Sequence, residues 1–145
     1  MLQSTSNQDV ADNLAIQKVM ARYCEVVDAA VHKGRDSAAE MVSIFSSDAR
    51  ADYGNGVIDG QKAVIDFLVD GVCATRDWLW HAIHTPNVDI DGDSATGSWT
   101  IVAMMKEKGQ TSIGSVVGRY INEFVRTDDG WRISSMRWVA EATLS

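Results

Sequence analysis

The fold is decided by residues 79–105, LWHAIHTPNVDIDGDSATGSWTIVAMM. Two extended runs flank the turn signal Asp91–Gly92, and similar signals recur at Lys108–Gly109 and Asp129–Gly130. These turns delimit four runs, at about 79–90, 95–106, 111–126 and 131–142. Long neighbouring strands joined by tight turns predict an antiparallel meander, and one face of that meander must be covered by other elements.

Helical patterns dominate the first half of the chain. Apolar residues form one stripe from about Asp9 to Lys33, a short helix follows at 37–45, and a third helix covers 61–73. The sequence therefore predicts an α+β fold: a cone-shaped α+β barrel in which three helices from the N-terminal half pack on a strongly curved antiparallel sheet. The interior of such a cone commonly holds a small ligand.

Composition sets the class of partner. The 145 residues carry a net charge of −7, which disfavours nucleic-acid and membrane partners and leaves a small-molecule partner. We expect a single domain, 1–145, with about residues 1–12 as a polar N-terminal extension and without a signal peptide. The isolated Cys24 and Cys73 could form a disulfide, but reduced, buried thiols in a cytoplasmic protein are the preferred interpretation.

Common catalytic motifs are missing from the sequence. Asp89, Asp91 and Asp93 imitate the start of a calcium loop, but the required glycine and glutamate do not follow. The sequence also lacks a phosphate-binding glycine motif and a GxSxG elbow. His81 and His84 are three residues apart on a strand and should face opposite sides, so no metal site is predicted.

One of these two histidines should face the interior. Counting back from Val88 and Ile90 in strict alternation selects His84. A one-residue bulge at Pro86–Asn87 would select His81 instead, and proline favours a bulge because it cannot donate to the strand ladder. From the residues alone both registers stay open.

Other candidates lie on faces expected to be buried. Asp28 sits at the edge of the first helical stripe, Tyr23 lies near its middle, and Tyr53 lies on the inward face of the first strand. Apolar pocket walls could be supplied by Ile101, Ala103, Val116 and Tyr120, although core packing is the simpler interpretation of these four residues.

The sequence resembles the SnoaL-like branch of the nuclear transport factor 2-like (NTF2-like) superfamily over about residues 13–139. The resemblance rests on AIQKVMARYCEVVD, IFSSDARADYG, IDGQKAVIDFL, WHAIHTPNVDIDGDSATGSW and GRYINEFVRTDDGWRIS. Similar members include scytalone dehydratase, bile-acid dehydratases and hexachlorocyclohexane dehydrochlorinase. In those lyases a Tyr-x4-Asp on the first helix brings the aspartate to a pocket histidine.

The resemblance implies specific roles here. Tyr23 and Asp28 have the Tyr-x4-Asp spacing, His81 matches the pocket histidine, and Tyr53 resembles a strand tyrosine of the family. The second histidine or acid found on the next strand in the dehydratases is missing from 95–106. The bile-acid enzymes also have an arginine near the chain end, which Arg137 could replace. The resembled enzymes form homo-oligomers, so we expect a trimer or dimer.

These observations predict a cofactor-free lyase, of dehydratase or dehydrohalogenase type, for a small, largely apolar cyclic substrate. A neutral imidazole suits proton abstraction near neutral pH, with Asp28 orienting the His81 ring and Tyr23 or Tyr53 donating a proton. The predicted substrate-binding residues are His84, Ile101, Ala103, Val116, Tyr120 and Arg137. The alternatives are an isomerase acting through a dienolate and a non-catalytic module that binds a small molecule.

Overall fold

The computed structural model describes residues 5–144 and begins with one long helix, α1 (Asn7–Lys33). Ser6 and Asp9 form a reciprocal capping box at its start, in which each backbone N–H donates to the other side chain at 3.0 Å. Gly34, with a φ of 54°, ends the helix. Residues 7–12 belong to α1, which begins two residues before the predicted start at about Asp9. The part of the expected N-terminal extension at residues 1–4 lies outside the described residues.

Two further helical segments follow α1. A 3₁₀ turn (Gly34–Ser37) leads into α2 (Ala38–Val42), so the predicted helix at 37–45 is too long and Phe45 begins a strand. The third helix starts as α3 (Gln61–Asp66), continues as a π-helix (Phe67–Val72) and ends in a 3₁₀ turn (Cys73–Thr75). In residues 5–144, no helix has the length and apolar character needed to cross a membrane.

The strands form one sheet. Its members are β1 (Phe45–Asp52), β2 (Val57–Asp59), β3 (Arg76–Asp91), β4 (Ser94–Glu107), β5 (Gly114–Thr127) and β6 (Gly130–Leu144). Their order across the sheet is β2-β1-β6-β5-β4-β3, and β3 to β6 form the predicted antiparallel meander. The predicted α+β class, with helices packed on a curved sheet, is confirmed.

Two details of the sheet differ from the prediction. β1 pairs with β6 in parallel, so the sheet is mixed. The connection between these two strands contains the third helix and the first three strands of the meander, and parallel neighbours need a long connection of this kind. Within residues 5–144 the sheet also stays open, with β2 and β3 at its two edges. α1 and the third helix, residues 61–75, cover the concave face of the sheet, where the core lies.

A bulge in β3 decides which histidine faces inward. Thr85–Pro86 stands opposite Trp99 alone, one residue before the predicted bulge at Pro86–Asn87, and Thr85 has a φ of 49°. Because the extra residue reverses the alternation of faces, His81 lies on the concave side while His84 is exposed. Of the two registers left open by the sequence, the structure adopts the bulged one.

Candidate active site

Asp28 of α1 binds His81 of β3 at two points. Its Oδ1 atom lies 2.6 Å from the ring Nδ1, and its Oδ2 atom accepts the backbone N–H of His81 at 2.9 Å. The side chains are largely buried, with 7% of His81 and 19% of Asp28 exposed. Since an ionised carboxylate can only accept hydrogen bonds, this contact places the ring proton on Nδ1 and leaves Nε2 as an acceptor.

The His81 ring faces a cavity of about 400 Å³ between the helices and the sheet. This volume is within the range of small-molecule pockets, and most of the lining side chains are apolar or aromatic. Six residues predicted from the sequence line it: Tyr23, Tyr53, His81, Ala103, Val116 and Tyr120. Asp28 lies behind the ring, so the cavity meets the imidazole and not the carboxylate.

Three residues predicted to bind the substrate lie elsewhere. His84 is exposed because the β3 bulge turns it to the convex side of the sheet. Ile101 is on the expected face but is fully buried in the core at 0% exposure. Arg137 is exposed, because its neighbour Met136 takes the inward position on β6.

All three tyrosines of the chain line the cavity. The Tyr120 hydroxyl lies 3.5 Å from Nε2 of His81, and the hydroxyls of Tyr23 and Tyr53 are 3.1 Å apart. Burial raises the pKa of each tyrosine above its ordinary value of 10.0. All three therefore keep their protons near neutral pH and can act as hydrogen-bond donors rather than as bases.

Several lining residues were not found from the sequence. Phe67, in the π-helix, stacks on Tyr53 with ring centroids 5.4 Å apart, and Trp138 packs edge-on against Tyr120 at 5.5 Å. Arg76, the first residue of β3, also reaches the cavity. Alternation from the buried Met136 would have placed Trp138 inward, but no pattern in the sequence marks Arg76.

A wider groove of about 640 Å³ lies at the β3–β4 hairpin end of the sheet. Among the described residues that line it, four carry carboxylates (Asp48, Asp89, Asp91 and Glu123) and none is a histidine or tyrosine. Nowhere in the described ranges do three or more His, Cys, Asp or Glu side chains cluster so that they could hold a metal ion. The cavity at His81 is therefore the candidate site.

The sequence model of the SnoaL-like domain matches residues 8–137. The chain belongs to the SnoaL-like domain family. This assignment confirms the resemblance drawn from the sequence, and the architecture is that of the NTF2-like superfamily. An uncharacterized protein of Mycobacterium tuberculosis, Rv2910c, is 29% identical to this SnoaL-like domain over 127 residues, which cover 86% of this chain and 82% of the relative.

Solved structures of similar fold include a dehydratase-like protein and a dehydrochlorinase. A scytalone dehydratase-like protein from Novosphingobium aromaticivorans superposes with a TM-score of 0.82 at 18% identity, covering 93% of this chain and 87% of that one. Hexachlorocyclohexane dehydrochlorinase LinA-type3 from Novosphingobium barchaimii superposes with a TM-score of 0.79 at 18% identity, covering 92% and 89%. At this identity the likeness shows that the SnoaL-like domain shares their fold.

Proposed function

We propose that this SnoaL-like domain is a cofactor-free lyase that eliminates water or halide from a small, largely apolar cyclic substrate. The observation that carries the proposal is the orientation of His81, whose Nδ1 is held by Asp28 while its ring faces an apolar cavity. An imidazole that is fixed at Nδ1 by a carboxylate and whose Nε2 can accept a proton is the arrangement that a general base needs. Its structural neighbours include a dehydratase-like protein and a dehydrochlorinase, which supports the same class of reaction.

The proposed reaction is a single β-elimination. Nε2 of His81 takes a proton from a substrate carbon, the C–H electron pair becomes a carbon–carbon double bond, and the neighbouring carbon loses hydroxide or halide. Asp28 stabilises the imidazolium that forms, since it already accepts the Nδ1 proton at 2.6 Å. A tyrosine hydroxyl gives its proton to a departing hydroxide, which leaves as water, and the imidazolium proton then restores the tyrosine through solvent. A halide needs only a hydrogen bond, and in that case the imidazolium releases its proton to solvent.

The tyrosines have different positions for this role. Tyr120 lies beside the base, 3.5 Å from Nε2, whereas Tyr23 and Tyr53 form a linked pair of hydroxyls 3.1 Å apart. We assign leaving-group assistance to the Tyr23–Tyr53 pair, because Tyr120 already contacts Nε2 of the base, whereas these two hydroxyls contact each other and can turn to the leaving group. The apolar remainder of the cavity excludes water and strengthens these hydrogen bonds.

The test is turnover of cyclic alcohols and halides by wild-type protein and by His81→Gln. We expect the variant to lower the rate by roughly a hundredfold or more, because the general base is lost. His84→Gln is the matched control, since His84 is exposed on the opposite side of the sheet. Product analysis separates the alternatives: elimination releases water or halide, isomerisation releases neither, and full activity of His81→Gln would refute the assignment.

A second copy of the chain is the proposed protein partner. On the convex side of the sheet Trp80 is 47% exposed and Ile121 is 39% exposed. Arg119 and Glu123 flank Ile121 on the same face of β5, so two copies related by a two-fold axis could pair arginine with glutamate. Light scattering should show that the wild-type protein is an oligomer and that Ile121→Glu dissociates it. Val57→Glu, on β2, is the control and should leave the oligomer intact. A monomeric wild-type protein would refute the proposed self-association.

We also propose that the protein is located in the cytoplasm. Cys24 and Cys73 are both free and buried, as expected for a protein of a reducing compartment.

A further inference from the structure

Arg76 gives the cavity a feature that elimination does not require. Of the described residues that line the cavity, it is the only one with a permanent charge. Its side chain is 18% exposed and lies at the junction between the end of the third helix and the start of β3. The remaining polar side-chain groups among the described lining residues are three tyrosine hydroxyls, the His81 ring, the Asn55 amide and the Trp138 indole N–H.

The guanidinium of Arg76 uses only part of its donor capacity within the protein. Nη1 donates to the carbonyl of Val72 at 2.6 Å, and Nη2 lies 3.1 Å from Oε1 of Glu107. The buried Nε has no hydrogen-bond partner anywhere in residues 5–144. A buried donor without a partner is unusual in a native structure, and Glu107 is itself 44% exposed and can turn towards water.

The lining of the cavity therefore offers many hydrogen-bond donors and few hydrogen-bond acceptors. The tyrosine hydroxyls keep their protons, and the Arg76 fork adds charged N–H groups at one end of the same cavity. A planar guanidinium matches the two oxygens of a carboxylate, and a low-dielectric cavity strengthens that contact. Arg76 and His81 are five residues apart on β3, at most roughly 16 Å along a strand, and both side chains line the same cavity.

We propose that the substrate is a small cyclic carboxylate whose anionic group binds Arg76 while a ring carbon faces His81. This inference rests on the proposed function and adds the chemical class of the substrate to it. Glu107 then competes with the substrate for the guanidinium of Arg76. When no substrate is bound, the Glu107 carboxylate neutralises the guanidinium charge. A purely structural Arg76 would link Val72 to Glu107 and would have no preference for an anionic ligand.

The test is isothermal titration with cyclohex-1-enecarboxylate and with its neutral amide, a pair matched in shape. Wild-type protein should bind the carboxylate more tightly, and Arg76→Met should weaken it by about tenfold or more without changing the amide affinity. Glu107→Gln should tighten the carboxylate by several-fold, because a competing anion is removed. Should Arg76→Met fail to fold, Arg76→Lys and Glu107→Gln decide the question.

The outcomes separate this proposal from the lyase assignment. His81→Gln should keep the carboxylate preference while losing turnover, since binding of the anion does not need the base. The substrate proposal is wrong if wild-type protein binds both probes equally, or if neither Arg76→Met nor Glu107→Gln changes the ratio of the two affinities. In that case elimination on neutral substrates can still stand.

Discussion

Replacing Asp28 with asparagine should move the proton on the His81 ring from Nδ1 to Nε2. The carboxylate accepts two hydrogen bonds from His81, one from the backbone N–H at 2.9 Å and one from the ring at 2.6 Å. An asparagine has one oxygen and one NH₂ group in these places. The backbone N–H can only donate and will take the oxygen, so the NH₂ group must face Nδ1, which can receive it only as an unprotonated nitrogen.

The size of this effect follows from the ring contact. In the variant the Nε2–H tautomer gains a neutral hydrogen bond, worth about 0.5–1.5 kcal/mol, whereas the Nδ1–H tautomer leaves a buried donor unsatisfied at a cost of about 1–3 kcal/mol; each 1.36 kcal/mol corresponds to a tenfold ratio. In Asp28→Asn the Nε2–H tautomer should therefore exceed the Nδ1–H tautomer by roughly tenfold or more. Because Nε2 is the proposed base, the rate of elimination should fall by roughly a hundredfold to ten thousandfold.

Long-range ¹H–¹⁵N correlation spectra of imidazole-labelled protein measure this tautomer without a known substrate. The chain has three histidines, and the other two, His32 and His84, are exposed and serve as internal references. Asp89→Asn is the matched control, because Asp89 is an exposed carboxylate on the same strand as His81. The reasoning is refuted if wild-type His81 averages between tautomers, or if Asp28→Asn leaves Nε2 unprotonated.

Three further predictions concern groups outside the reaction. Burial raises the pKa of Cys24 to about 12 and that of Cys73 to about 11, so both thiols should react with a disulfide reagent near neutral pH roughly a hundredfold more slowly than in denatured protein; equal rates would contradict this. Hydrogen bonds from Arg126 hold the pKa of the Asp12 carboxyl well below its ordinary value of 3.8. The free energy of folding that these bonds contribute is therefore fully present above pH 3.8 and is lost as the pH falls towards the lower pKa of the folded state. Asp12→Asn should therefore lower Tm by several degrees at neutral pH, and this difference should narrow in acid scans. Gly118→Ala would place a Cβ 2.2 Å from the Val139 carbonyl oxygen, and denaturant titration should show a loss of about 1–3 kcal/mol.

Local patterns in the sequence were sufficient to predict most of the fold. The turn signals at Asp91–Gly92 and Asp129–Gly130 place the hairpins correctly, because a glycine with positive φ fits such turns. The parallel pairing of β1 with β6 joins segments far apart in sequence, and no local signal reveals it. The same limit applies to Asp12, which is in the polar N-terminal segment but is buried against Arg126 and Trp131 at the end of the meander.

The residues of the site could be predicted from the sequence where the spacing along a single helix or strand fixes the face on which a residue lies. Tyr23 and Asp28 on α1 follow helical periodicity, and both reach the predicted region. The choice between His81 and His84 depended on a bulge whose exact place a single proline does not fix. Arg137 was misplaced because its face depends on the β6 register, and Arg76 was missed because its contact with the cavity depends on where the third helix ends.

The contact between Asp28 and the backbone of His81 also bears on solubility. β3 lies at an edge of the sheet, where none of the strands in the described residues pairs with its outward N–H groups. Such a free edge can recruit a strand from another molecule and start aggregation. By accepting the N–H of His81, Asp28 blocks one of these attachment points in the middle of the edge. Variants that shorten this side chain should therefore be more prone to aggregate on storage.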